Sequence, residues 1–288
     1  MTTEQVLPEP ERHQLGPWAS GALPVRRVQL LIILLVIASG SGLLLNVYVT
    51  ETPFARNAYR GADLVSALLA VPLLLLVLRS ARLGSTRAAL LLLGGLGYVA
   101  YQYAYTFAYG WSRLFPVYVT LLALSAFTLA EMLIRLDVRA VANRLDPLAR
   151  VGGIARFLLI IGVGLGLMEG LQVVVALVTG DPPPIVAQTG HPTSPVHILD
   201  LGFVVPLMLL ASRWLHRHRP WGLVAAAVLL VKGITVGLGL LAANAFALLT
   251  GSTSDGPLNV VWVVIAAGSG LALVRLLRLI QPTVSNHA

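Results

Sequence analysis

The chain has 288 residues, of which 57% are hydrophobic and only 11% charged, and its formal net charge is +8. Because a soluble domain carries about 25% charged residues, this composition excludes a large soluble domain and predicts an integral membrane protein with the lipid bilayer as its surroundings. The complete lack of cysteine also excludes disulfides, thiolate metal sites and thiol catalysis.

Eight apolar stretches follow one another along the chain. They cover residues 28–49, 62–78, 88–109, 114–134, 154–178, 197–215, 221–249 and 258–280. Most reach the roughly 20 residues that an α-helix, rising about 1.5 Å per residue, needs to cross about 30 Å of hydrocarbon. We therefore predict an all-α integral membrane protein with eight transmembrane helices.

The arginines predict the orientation of these helices. Nineteen of the 20 basic residues are arginines, and sixteen of them lie in the two tails or in the second, fourth and sixth connections. The opposite side has only Arg56, Arg60 and Arg113. Because positively charged connections stay in the cytoplasm, both termini are predicted to be cytoplasmic. Arginines at helix ends also account for the net charge, so no nucleic-acid partner is predicted.

The two halves of the chain share local sequence features. These are residues 49–53 and 178–182, Asp63 and Asp200, Pro72 and Pro206, and the helix ends at 133–136 and 276–279. Because each half has four helices, the two copies share one orientation and are related by a pseudo-two-fold axis along the membrane normal. The predicted divisions are a flexible cytoplasmic tail (1–27), a first four-helix repeat (28–136), an arginine-rich cytoplasmic linker (137–153), a second repeat (154–280) and a C-terminal tail (281–288).

Glycines at four-residue spacing predict close helix contacts, because helices in lipid approach each other through small residues. Gly162, Gly166 and Gly170 share one face of the fifth helix, and Gly233 and Gly237 share one face of the seventh. No strand precedes the first group, so helix packing explains it better than a nucleotide-binding loop does.

Polar side chains within the helices contain most of the functional information. A charged group at the bilayer centre costs about 2.5–3.5 kcal/mol, so such groups face the bundle interior and find partners there. The polar residues expected in the outer half of the membrane are Asn46, Asp63, Gln102, Tyr105, Tyr109, Glu169, Gln172, His197, Asp200 and Asn244. Lys232, the only lysine, is expected near the midplane.

Three helices of the second half each present a polar pair on one face. The pairs are Glu169 and Gln172, His197 and Asp200, and Lys232 and Thr235. We predict an outward-opening polar pocket in the second half, with Lys232 at its floor and Glu169 or Asp200 as its counter-charge. The matching depth of the first half holds Tyr98, Tyr101, Gln102, Tyr103, Tyr105 and Tyr109. The predicted binding or proton-relay residues are Lys232, Glu169, Asp200, His197, Gln172, Thr235, Gln102 and Tyr105.

These residues leave three functional hypotheses open. The first is a small-solute or proton-coupled transporter that uses the predicted pocket. The second is an intramembrane enzyme acting on a lipid-linked substrate, with His197 and Asp200 as an acid/base pair. The third is a non-catalytic scaffold or sensor, in which the buried lysine and its carboxylate partner only lock helices together.

Metal and cofactor chemistry have weaker support in the sequence. Glu169, His191, His197 and Asp200 offer metal ligands, although their spacing matches no ligand motif. A lone lysine in a seventh helix also suits a retinal Schiff base, but eight spans and the lack of a tryptophan cage argue against it. We predict no metal and no cofactor.

The chain resembles a group of uncharacterised bacterial polytopic membrane proteins over residues 28–280. The resemblance depends on the stretches 97–104 (GYVAYQYA), 115–125 (FPVYVTLLALS), 195–203 (PVHILDLGF), 219–222 (RPWG) and 230–233 (LVKG). It implies an eight-span membrane protein and brings no activity with it. Together with the preference for arginine over lysine, it predicts a multi-pass protein of the bacterial cytoplasmic membrane.

Overall fold

The computed structural model describes residues 17–18, 23–45, 47–107, 111–146, 148–252 and 256–281. Within these ranges the chain forms helices joined by short connections, without a β-strand, so the predicted all-α class is confirmed. Most of the two predicted tails, together with Asn46 and Tyr109, lies outside the described residues.

Eight long helices form the bundle. They are α1 (Val25–Leu44), α2 (Pro53–Arg82), α3 (Thr86–Tyr103), α4 (Phe115–Ile134), α6 (Gly152–Thr179), α8 (Pro195–His216), α9 (Pro220–Leu249) and α10 (Asn259–Arg278). Two short helices, α5 (Val138–Ala142) and α7 (Pro184–Thr189), lie in connections. Seven of the long helices, all except α3, are apolar enough to cross a membrane. The chain is therefore a multi-pass α-helical membrane protein.

Helix α3 lies at the centre of the bundle beside α9. Four of its leucines, Leu90, Leu92, Leu93 and Leu96, are fully buried by other helices. The long helix α6 lies instead at the periphery, where Leu171 and many other apolar side chains are exposed. Because α3 contacts protein on nearly every side, it tolerates a lower apolar content than a lipid-facing helix.

Helix α2 begins earlier than the apolar pattern predicts, at Pro53 rather than near residue 62. Thr52 caps it, since its hydroxyl accepts a hydrogen bond from the Ala55 amide at 3.2 Å. Arg56 and Arg60 lie in the first turns of α2 and lower the mean hydropathy there. The apolar pattern therefore does not reveal this part of the helix. The result is a helix of 30 residues.

Helices α2 and α8 each contain one π-helical turn, Ser66–Ala70 and Asp200–Val204. The cause is a proline just beyond each turn, Pro72 or Pro206, which lacks the N–H needed to continue the α-helical pattern and crowds the carbonyl four residues earlier. The amide that follows each turn therefore bonds five residues back, to the carbonyl of Ser66 or of Asp200. The first residue of each π segment, Ser66 or Asp200, is buried in the bundle.

The two hairpins that follow these turns match residue for residue. Each has a 12-residue α-helical segment, then a residue with positive φ (Gly84, His218), and then the next long helix two positions later. The spacing between matching positions is 134 residues, as between Ser66 and Asp200. Local structure thus aligns Asp200 with Ser66, three residues from the Asp63 that the sequence pattern paired with it.

Close contact between α3 and α9 uses small residues in a reciprocal arrangement. A methyl group on Gly94 would lie 2.6 Å from Val231 Cγ2, and one on Gly97 would lie 3.0 Å from Val228 Cγ1. Gly94 matches Val228 and Gly97 matches Val231 in the 134-residue spacing. The Gly94–Val231 contact therefore corresponds to the Gly97–Val228 contact, with the glycine and valine positions exchanged between α3 and α9.

The glycine rows pack against neighbouring helices as predicted, with one exception. Gly162 and Gly166 lie against Met208 and Val205 of α8, and Gly233 and Gly237 of α9 lie against α10. Gly170 faces open space, so the packing role predicted for it is wrong.

The arginine-bearing helix ends meet at one end of the bundle. Arg87 at the start of α3 donates to the Ile280 carbonyl at 3.1 Å, and Arg27 of α1 pairs with Glu131 near the end of α4. The predicted linker 137–153 contains α5 and contacts the end of the chain, where the Gln281 amide donates to the Arg144 carbonyl at 2.7 Å. From the predicted N-terminal tail, Trp18 donates to the Met132 carbonyl at 3.1 Å.

Candidate functional site

Lys232 and Asp200 form a buried ion pair inside the bundle. Lys232 Nζ of α9 lies 3.3 Å from Asp200 Oδ1 of α8, and the two residues are only 8% and 5% exposed. Asp200 begins the π turn of α8 and faces Lys232 of α9. The structure thus shows Asp200 as the counter-charge of Lys232, and the lysine does not extend to a helix end.

Two tyrosines complete the surroundings of this pair: Tyr101 of α3, and Tyr105 of the 3-10 turn (Ala104–Phe107) that follows α3. Lys232 Nζ lies 4.0 Å from the centre of the Tyr101 ring, a cation–π distance. The Tyr101 hydroxyl donates to Asp200 Oδ1 at 2.8 Å and lies 2.9 Å from the Tyr105 hydroxyl, which therefore donates to it. The site lies between the two halves of the chain, which corrects the expectation of a pocket within the second half.

Glu169 of α6 supplies a second buried carboxyl. It is 4% exposed, and its Oε2 atom has no hydrogen-bond partner among the described residues. The Glu169 carboxyl interacts electrostatically with the Asp200 carboxyl and with Lys232. Two carboxylates and one ammonium have a net charge of −1, so one proton shared by the carboxyls makes the group neutral.

These four side chains lie at similar heights in the bundle. Counting 1.5 Å per residue from the arginine-bearing helix end, the Cα atoms lie at about 18 Å for Lys232, 22 Å for Tyr101, 24 Å for Asp200 and 26 Å for Glu169. The long Lys232 side chain bridges the difference in height between its own Cα atom and those of the other three residues. We call Lys232, Asp200, Glu169, Tyr101 and Tyr105 the central cluster.

His197 lies one turn before Asp200 but does not bond to it. Its Nδ1 atom is 2.6 Å from the hydroxyl of Ser194, the residue that caps α8. Its Nε2 atom is buried without a hydrogen-bond partner among the described residues. An acid/base pair needs His197 and Asp200 within hydrogen-bond reach, and the Asp200 oxygen that is engaged bonds to Lys232 and Tyr101 instead.

Thr235 and Gln172 lie outside the side-chain hydrogen-bond network of the cluster. The Thr235 hydroxyl bonds to carbonyls of its own helix, at 2.9 Å to that of Lys232. Gln172 is half-buried and makes no side-chain hydrogen bond within the described ranges. Gln102 is half-buried next to Tyr101.

The position that matches the ion pair in the first half holds a neutral pair. Tyr98 and Ser66, which correspond to Lys232 and Asp200, have their hydroxyl oxygens 2.8 Å apart. Tyr98 also donates to the Ala62 carbonyl at 3.2 Å. The same helix crossing is therefore polar in both halves but charged in only one.

A second polar group, which the sequence did not predict, joins the connections at the opposite end of the bundle. His191 Nε2 lies 3.0 Å from Glu51 Oε2 and 3.2 Å from the Tyr59 hydroxyl. Tyr48 packs against Tyr59 and donates to Asp63 at 2.7 Å. His191 is thus engaged by Glu51 and Tyr59 at this end of the bundle.

The four possible metal ligands, Glu169, His191, His197 and Asp200, do not come together in the structure. Across the described parts of the chain, no three histidine or acidic side chains are grouped so that they could hold a metal ion. Glu169 and Asp200 are near each other, but the ammonium of Lys232 lies where a cation would have to bind.

The fold and the central cluster define a class: a polytopic α-helical membrane protein with a buried group of ionisable side chains at its centre. No protein-family model matches the chain, and neither a curated protein nor a solved structure does.

Removing the Tyr101 hydroxyl tests the hydrogen-bond chain. We expect Tyr101→Phe to destabilise the protein by about 1–3 kcal/mol, because Asp200 loses a donor while the ring stays over Lys232. Tyr103→Phe is the matched control on the same helix, since the Tyr103 hydroxyl makes no hydrogen bond within the described residues. Thermal unfolding in detergent compares the two variants, and equal midpoints would contradict the hydrogen-bond chain.

Proposed function

We propose that this protein is a proton-coupled transporter of a small solute, with Lys232, Asp200 and Glu169 as its binding and proton-relay group. The proposal rests on the buried Lys232–Asp200 ion pair and on the neighbouring buried carboxyl of Glu169. One oxygen of Glu169 has no hydrogen-bond partner among the described residues. Intramembrane ionisable groups in contact with each other are typical of proton and ion pathways.

Charge balance gives the cluster a way to couple solute and proton. A site of low dielectric strongly disfavours net charge, so the cluster stays near neutrality in every step. A cationic solute that binds the carboxyls displaces the shared proton, whereas an anionic solute that binds Lys232 brings a proton with it. Exchange of a proton with a cation, or joint movement of a proton with an anion, follows from the same three groups.

We further infer that α3 is an eighth membrane-crossing helix and that the halves form a parallel repeat about a pseudo-two-fold axis. Two observations support this. The π turn, the 12-residue segment and the positive-φ residue recur at a constant spacing, and the contacts of Gly94 and Gly97 are reciprocal across α3 and α9. The central cluster then lies at the repeat interface, where transporters built from repeats bind their substrates.

The arginine-bearing end of the bundle is the cytoplasmic end in this proposal, and both termini lie there. The resemblance to uncharacterised polytopic proteins favours a bacterial cytoplasmic membrane. The central cluster then lies in the outer half of the membrane, below the His191–Glu51 contact.

Proton movement in proteoliposomes tests the proposal. With a pH-sensitive dye trapped inside, a panel of amines, amino acids, carboxylates and sugars is added outside, and the internal pH is followed. We expect at least one solute class to drive a pH change with the wild-type protein and Glu169→Gln to reduce its initial rate at least tenfold, because the neutral amide cannot exchange the proton.

Glu131→Gln is the matched control, since it makes the same chemical change at a carboxylate that pairs with Arg27 and Arg135 away from the cluster. It should retain the wild-type rate. Equal rates for the two variants, or a panel in which no solute moves protons beyond empty liposomes, would contradict the proposed function and leave the scaffold hypothesis in its place.

A further inference from the structure

A cavity of about 480 Å³ opens at the arginine-bearing end of the bundle, at the start of α6. Its walls include Arg150, Gly152, Gly153 and Arg156 around that helix start, and Arg275 from the end of α10. His216 and His218 at the end of α8 close the remaining side. The cavity is remote from the central cluster, since Glu169 lies about 26 Å further along α6.

The cavity is strongly basic, and its charges lack acidic partners. Its walls have three arginines and no acidic residue. No carboxylate among the described residues pairs with Arg150, Arg156 or Arg275. The one hydrogen bond within this group is from Arg275 to the Arg150 carbonyl, at 3.3 Å. These guanidinium groups are therefore free to bind an anion.

The start of α6 adds main-chain donors to the same space. Val151 precedes the first helical residue and provides no side-chain cap, and the first turn has no acidic residue. A methyl group on Gly152 would meet no atom within 4 Å, and one on Gly153 would meet only Arg275 Nη1 at 3.6 Å. An anion can thus approach the amides of a 28-residue helix at its positive end, with arginines on either side.

We propose that this cavity binds a phosphate group. Planar guanidinium groups and helix-start amides are the donors that phosphate oxygens accept best. The source is the headgroup of an anionic phospholipid in the adjoining leaflet or a free phosphate, and both offer the same chemistry to these donors.

The test uses the full-length protein, delipidated in detergent. Its thermal unfolding midpoint is titrated with dioleoylphosphatidylglycerol, dioleoylphosphatidylcholine and inorganic phosphate. We expect the midpoint to rise with the anionic lipid or with phosphate but not with the zwitterionic lipid. The triple variant R150Q/R156Q/R275Q is expected to require at least about tenfold more ligand, because it loses charge-assisted hydrogen bonds.

Two further variants separate binding from folding and from general charge. R79Q/R82Q/R139Q removes three exposed arginines from outside the cavity and is expected to respond as the wild type does. Gly152→Asp places a carboxylate in open space at the helix start, which favours the helix but repels an anion, and is expected to abolish the response.

A rise with inorganic phosphate alone identifies a free-phosphate site, and a rise confined to phosphatidylglycerol identifies a lipid-headgroup site. Equal responses of the two triple variants, an undiminished response of Gly152→Asp, or no response to either ligand would overturn the proposal. None of these outcomes depends on transport, so the test is independent of the proposed function.

Discussion

Replacing Lys232 by methionine is expected to destabilise the protein by about 3–5 kcal/mol. The methionine fills a similar volume, but Asp200 and Glu169 remain buried without a cation, and an uncompensated buried charge costs this much. No other described cation lies within salt-bridge distance of Asp200. The variant therefore removes the only positive charge that balances the cluster directly.

Reversible unfolding in mixed micelles measures this effect, and the double variant K232M/D200N checks its cause. Because the double variant removes both charges, it is expected to recover most of the lost stability. Thr235→Val is the control on the same helix face, since its hydroxyl bonds only to its own helix. A K232M variant as stable as T235V would show that Asp200 and Glu169 do not depend on the ammonium.

The double variant also separates the functional hypotheses. If the ion pair only locks α8 against α9, K232M/D200N is stable and behaves like the wild type in every assay. If the pair is part of a proton relay, the double variant is stable but moves no protons in response to solute. The double variant is stable under both hypotheses, so proton movement is the measurement that distinguishes them.

The sequence predicted the ion pair because lipid disfavours an isolated charge. Lys232 had to have a partner, and helical spacing placed Asp200 and Glu169 at a suitable depth. Spacing within a helix does not determine which helices touch, so it could not show that Tyr101 covers the lysine. Tyr105 was predicted and Tyr101 was not, although the two are one helical turn apart and share a face. That spacing was the available signal.

The start of α2 and the roles of Thr235 and Gln172 also differ from what the sequence predicts. The buried start of α2 contains Arg56, Asn57, Arg60 and Asp63, whose polar groups cancel the apolar signal even though the helix continues through them. Thr235 and Gln172 have the correct spacing for the site, but a hydroxyl can bond back to its own helix and an amide can turn away. The orientation of each of these two side chains depends on helix packing, which a single sequence does not specify.

Asp63 and Asp200, which the sequence pattern paired, do not occupy matching positions relative to the two π turns. Both are acidic and both precede a proline, yet the π turns place Ser66 at the position of Asp200. The residue that matches Asp63 is His197. Pro72 and Pro206 lie at matching positions relative to the two π turns, whereas the two acidic residues do not.

Gly61→Ala is expected to have the second-largest effect, a loss of about 1–3 kcal/mol of stability. Gly61 of α2 lies against the backbone of α9, where an added methyl group would overlap the Gly239 carbonyl oxygen and lie 2.6 Å from the Ala243 amide nitrogen. Both obstacles are backbone atoms, so no rotation of a side chain relieves them and the two helices must separate.

Gly40→Ala and Gly170→Ala are the matched controls, because a methyl group at either position meets nothing within 4 Å. Alanine favours a helix over glycine by roughly 0.5–1 kcal/mol, so both controls are expected to be neutral or stabilising. If Gly61→Ala lowers stability while the two controls leave it unchanged or raise it, the close approach of α2 and α9 is the cause of the loss. If Gly61→Ala is as stable as the controls, the contact between α2 and α9 is looser than described, and α9 is not held where Lys232 meets Asp200.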